Sequence, residues 1–65
     1  MYVYMVMMGV EYEGCEVQRV YANREEAEQY KRELITQACN EWGCTEKELR
    51  EKYGEFYYIQ KEEVF

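Results

Sequence analysis

Residues 23–43, reading N-REEAEQYKRELITQACNEW-G, carry the strongest local instruction in the chain. Asn23 accepts hydrogen bonds well at a helix N-cap, and Glu26, three residues on, gives the spacing of a capping box. Gly43 supplies the left-handed stop. At about 100° per residue, Tyr30, Leu34, Ala27, Ala38, Trp42 and Ile35 fall in a stripe about 140° wide, suited to covering one face of a sheet. Arg24 and Lys31 fall inside that stripe, which a plain core helix does not require. Glu28 and Arg32 are spaced for an i,i+4 ion pair.

The segments before the helix read as a β-hairpin. Met1 to Tyr12 is rich in Val, Tyr and Met, residues that favour a pleated surface. Glu13-Gly14 predicts a two-residue turn, and Cys15 to Ala22 returns as the second strand. That turn sets Tyr12 opposite Cys15, Val10 opposite Val17 and Met8 opposite Arg19. One face then carries Tyr2, Tyr4, Val6, Met8, Val10, Tyr12, Cys15, Val17, Arg19 and Tyr21. The other carries Val3, Met5, Met7, Val20 and Ala22, then turns polar toward the hairpin tip at Glu11, Glu16 and Gln18. Both faces are apolar near Met1, whereas a sheet with one solvated face alternates more cleanly. Gly9 marks a bulge or a close approach.

After the helix, Thr45 and Glu48 form a second capping box, with Leu49 and Tyr53 on one face and Gly54 at the stop. Phe56 to Phe65 reads as a last strand. Tyr57 and Ile59 point one way, Phe56 and Tyr58 the other, and Glu62-Glu63 fits an exposed end or an edge. The expected fold is α+β: a small antiparallel sheet in β-β-α-α-β order, covered on one face by one main helix.

Sixty-five residues suffice for one domain near the lower limit of independent folding, a size that usually needs a staple, a metal or a partner chain. One helical layer on a sheet with two apolar faces leaves the second face unsatisfied. The expected remedy is a homo-oligomer, in the first instance a dimer through the tyrosine face, assumed to be the uncovered one.

Composition narrows the chemistry. The net charge of −6 argues against non-specific binding of nucleic acid or of an anionic membrane. The N-terminal apolar run is too short to span a bilayer and lacks a basic leader, so a cytoplasmic protein is expected. Three cysteines cannot complete a disulfide framework within one chain, and Cys15, Cys39 and Cys44 read as reduced, half-buried hydrophobes. Their spacing is not that of paired zinc ligands. Histidine, serine and aspartate are absent, which removes most nucleophile and base combinations. The four glycines are isolated, so there is no phosphate-cradling loop. No enzyme activity, cofactor or metal is expected.

What remains is binding. Tyrosine rings stack on bases, and arginine holds phosphate bidentately. On this basis Tyr4, Met8, Tyr12, Arg19 and Tyr21 on the tyrosine face, with Arg24 and Lys31 near the helix start, are the candidate ligand or interface residues. The segments GVEYEGCEV, Val20-Tyr21-Ala22-Asn23-Arg24-Glu25-Glu26-Ala27-Glu28 and YYIQKEEV resemble a class of small uncharacterised bacterial and phage proteins. In that class a β-hairpin enters a VFSTREEAE-like helix start and returns in an aromatic strand. Here Tyr21, Ala22 and Asn23 replace Phe, Ser and Thr. The resemblance brings no catalytic residues. It implies an accessory protein of phage or mobile-element origin, such as a counter-defence protein that sequesters a nucleotide-derived signalling ligand in a homo-oligomer. The competing expectation is an inhibitor or adaptor that docks a host protein through the tyrosine-rich face or an edge strand.

Overall fold

A computed structural model describes residues 1–64. The elements run β1 (Tyr2–Val10), β2 (Gly14–Tyr21), α1 (Arg24–Trp42), α2 (Glu46–Tyr53) and β3 (Glu55–Glu63). The expected α+β fold and element order are those observed. Phe65, expected to end the last strand, lies outside the described residues. The sheet order is β2-β1-β3, with both pairings antiparallel, so the Val- and Met-rich first strand is central. It is paired on both sides from Tyr4 to Val10, while Tyr2 and Val3 pair with β3 alone, and the outer polar edges belong to β2 and β3.

The hairpin differs from the sequence expectation in its turn. Glu11, Tyr12 and Glu13 form the connection, and Gly14 already pairs with Val10. The Glu13 N–H donates to the Val10 carbonyl at 2.9 Å, and Tyr12 takes φ 71°, the left-handed value that a type II turn needs at its third position. Gly14 also has positive φ, 94°, but as the first residue of the strand. The pairing then runs Gly9 with Cys15, Met8 with Glu16 and Met7 with Val17. Between Val17 and Arg19 the register shifts, so that Val6 faces Arg19, Met5 faces Val20 and Tyr4 faces Tyr21. Gln18 is the extra residue of a β-bulge.

The bulge decides which side chains share a face. Cross-strand partners project to the same side, so the longer turn moves Cys15 and Val17 away from the tyrosines to the side of Gly9 and Met7. The extra residue returns Arg19 and Tyr21 to the side of Val6 and Tyr4. Val17 and Val20, three residues apart, consequently end on one face, which a regular strand forbids. β3 pairs with β1 without interruption. Ile59 and Tyr57 stand beside Val6 and Met8, while Tyr58 and Phe56 stand beside Met7 and Gly9.

The helix lies on the tyrosine face. The Tyr21 and Tyr30 rings meet at 5.9 Å, and the Arg19 guanidinium lies 5.6 Å from the centroid of Tyr30. Val6, Ala27, Ala38 and Leu49 form the buried centre of this layer. The two alanines let the helix backbone approach the sheet, and Tyr30, Leu34 and Ile35 fill the flanks half-buried. This corrects the expectation that the tyrosine face is the uncovered one. Trp42, expected in the buried stripe, is 51% exposed and stacks on Tyr53 at 4.8 Å between ring centroids.

The caps are close to expectation. Asn23 Oδ1 accepts from the Glu25 N–H at 2.8 Å, and Gly43 is left-handed, but the reciprocal Glu26 arm is not among the bonds at this cap. At α2 both arms of the Thr45–Glu48 box are made. Glu28 pairs with Arg24 and Lys31, at 3.8 and 3.4 Å, rather than with Arg32. Gly54 closes α2 in left-handed conformation, and its carbonyl accepts from the Glu11 N–H at 2.8 Å, fastening β3 beside the hairpin.

Two substitutions test this geometry. Tyr12 is 98% exposed and left-handed. Tyr12→Gly is expected to raise unfolding stability by about 1 kcal/mol in denaturant melts, the net of relieved strain and added chain entropy. A β-carbon on Gly9 would meet the Phe56 ring and the Cys15 sulfur. Gly9→Ala is therefore expected to cost about 1–3 kcal/mol by overpacking. A neutral Gly9→Ala would mean that Phe56 does not rest there.

Candidate functional site

Two surfaces emerge from this arrangement. The first is a concavity of about 270 Å³ between β2 and α1, lined by Arg19, Tyr21, Glu26, Gln29, Tyr30 and Glu33. The bulge at Gln18 places Arg19 here, and the helix face brings Tyr30 over it. The Arg19 guanidinium lies 5.5 Å from the centroid of Tyr21 and 5.6 Å from that of Tyr30, within cation–π range of both. Among the described residues Arg19 makes no ion pair, yet two carboxylates, Glu26 and Glu33, share its rim. The local balance suits a planar ring with one acidic group and several hydroxyl or amino donors. It opposes a chain of phosphates.

Of the residues expected to form a site, Arg19 and Tyr21 meet at this concavity, with Tyr4 paired beside Tyr21 in the sheet. The others are elsewhere. Met8 pairs with Tyr57 on the helix-covered face, and Tyr12 stands at the hairpin tip. Arg24 and Lys31 share Glu28, which offsets their charge. Tyr30, Glu26, Gln29 and Glu33 complete the concavity and were not expected there. Tyr30 fell in the helix stripe and read as core, and no sequence signal separates a ring that fills a core from one that walls a cleft.

The second surface is the sheet face turned away from α1. Its cross-strand rows are Met5 with Val20 and Gln60, Met7 with Val17 and Tyr58, and Gly9 with Cys15 and Phe56. None of these nine side chains carries a charge at neutral pH. Val17 and Val20 are each 50% exposed. The Phe56 and Tyr58 rings stack at 6.0 Å, and the Cys15 thiol beside the Tyr58 hydroxyl pushes that phenol up. The apolar character of Val3, Met5, Met7 and Val20 is legible in the sequence. The addition of Val17 is not, because it depends on the bulge.

Other reactive groups are modestly placed. Cys39 and Cys44 flank the end of α1, where the Cys44 N–H donates to the Cys39 carbonyl at 3.0 Å. Burial, then Cys39 and Glu48, push the Cys44 thiol up, so it is a poor nucleophile at neutral pH. Among the described residues no group of three Cys or Glu side chains is placed to hold a metal ion. Among the described residues no helix is long and apolar enough to cross a membrane.

Tyr57, under the helical layer, has its phenol pushed up to about 12, first by burial and then by the neighbouring Glu55 carboxylate. Folding thus holds a proton that the unfolded chain releases at about pH 10. Stability is full below pH 10 and is expected to fall as pH rises from 10 towards 12. Melting temperatures across that range, for the native chain and Tyr57→Phe, check this: the variant's decline is expected to be shallower. Equal slopes would place Tyr57 in solvent. No protein-family model, curated protein or solved structure matches the chain.

Proposed function

We propose that the chain is a non-enzymatic binding protein that works by covering a protein surface with its open sheet face. The observation behind this reading is the block of nine uncharged side chains from Met5 to Gly9 and their partners on β2 and β3. Interface centres are depleted in charge and enriched in aromatic residues and Met, as this face is. Its surroundings supply the polar rim: Glu62 stands beside Val3 near the end of β3, and Glu11 and Glu13 stand at the turn. Acting this way requires no bond-making chemistry, which accords with the absence of His, Ser and Asp.

A second reading is favoured by the Arg19–Tyr21–Tyr30 concavity. A nucleotide-derived ligand would stack on the rings, set one phosphate on Arg19 and offer ribose hydroxyls to Glu26 or Glu33. Sequestration is the activity this site would support. The two carboxylates favour a ligand with one phosphate over a polyphosphate.

Cys15 is exposed at the end of the open face and reports on its cover. In cells making the protein, its alkylation is expected to be several-fold slower than in the dilute purified chain, and Val17→Glu/Val20→Glu is expected to abolish that protection. Equal rates in both settings would remove the docking reading. For the second reading, calorimetry with a panel of cyclic and linear mononucleotides is expected to give heat that Arg19→Ala eliminates. Absence of heat across the panel would remove it.

A further inference from the structure

The open face has a definite charge pattern, and with the overall shape of the chain it selects an occupant. The molecule is a slab of 40 × 24 × 14 Å with a radius of gyration of 12.5 Å, against about 11 Å for a compact chain of this length. It exposes 4964 Å², roughly a tenth more than the ~4,500 Å² expected of a compact 8.0 kDa monomer. It has the shape of a layered domain cut through its middle: one helical layer, one sheet, and no third layer.

We infer that the missing layer is a second copy of this chain, packed sheet to sheet through Met5, Val17, Val20, Phe56 and Tyr58 around the already buried Met7. This rests on the reading of the open face as a docking surface and names its partner. Two observations favour a second copy over a different protein. The central rows hold no charge, so the face is complementary to itself. A two-fold axis through Met7 would set apolar rows against apolar rows at the ~10 Å spacing of stacked sheets. The net charge of −6 on each chain opposes association elsewhere. The glutamates lie on the helices, at the turn and towards the strand ends, so sheet-to-sheet packing keeps most of that charge apart.

The bulge at Gln18 has a purpose in this arrangement. Without it, Val20 would turn under the helix and Arg19 would stand opposite Met5 in the open face. One extra residue removes a guanidinium from the centre of the face and puts a valine there. Two Arg19 groups facing each other across a two-fold axis would repel, and each would bury an unpaired charge.

The test is the mass in solution by light scattering during gel filtration at micromolar concentration. The native chain is expected at the mass of two chains. Val17→Glu/Val20→Glu is expected at the mass of one, with its far-ultraviolet dichroism retained, because both sites are half-exposed in the single chain. Arg32→Glu, on the outer side of α1, is expected to leave the pair intact. A native chain at the mass of one overturns the inference, as does a pair that survives the double substitution. In a single-chain result, Cys15 that is still shielded in cells by a Val17- and Val20-dependent cover would assign the face to another protein. Cys15 that is unshielded as well would remove the docking reading along with the pair.

Discussion

A central strand bonded along both edges has no backbone groups left to satisfy, and its side chains alone determine what must cover it. From Tyr4 to Val10 β1 is such a strand, and Val, Met and Tyr line it. A chain of this length can afford one helical layer. The rest of the molecule follows from that mismatch: α1 and α2 cover Val6, Met8, Tyr57 and Ile59, while on the other side the two valines of β2 stay open around half-buried Phe56 and Tyr58 and a buried Met7. Hydrophobic burial is proportional to area removed from water, so a face of this kind is a standing driving force for association.

One residue of β2 sets the composition of the two faces. Gln18 shifts the parity of the strand, which places Val17 and Val20 together on the open side and sends Arg19 to the helix side. There the guanidinium lies against both Tyr21 and Tyr30, beside the small concavity. Both candidate surfaces thus depend on the same irregularity. A regular pairing would give a charged open face and no arginine platform.

The elements with strong local chemistry were legible in the sequence. Asn23, Gly43, Thr45, Glu48 and Gly54 bound the helices because caps and left-handed stops are decided within a few residues. The split of β3 into Tyr57 and Ile59 against Phe56 and Tyr58 follows from strand alternation. The turn was not legible, because Tyr12 accepts a positive φ that its side chain disfavours, and Gly14 sits one position beyond the loop it resembles. Nor could the covered face be read, since both faces are apolar and only the three-dimensional path from Tyr21 into α1 chooses between them. The expected site therefore survives only in part. Arg19 and Tyr21 meet, whereas Met8 goes under the helical layer, Tyr12 stands at the tip, and Arg24 and Lys31 share Glu28.

The account stands on which face of β1 the main helix covers. Nuclear Overhauser contacts between methyl groups decide this directly. The structure predicts contacts from the Tyr30 ring to Tyr21 and from the methyls of α1 to the Val6 side of β1, and none from Ala27 or Ala38 to Met7 or Val20. Contacts from Ala27 to Met7 and Val20 would place the helix on the opposite face and contradict the account.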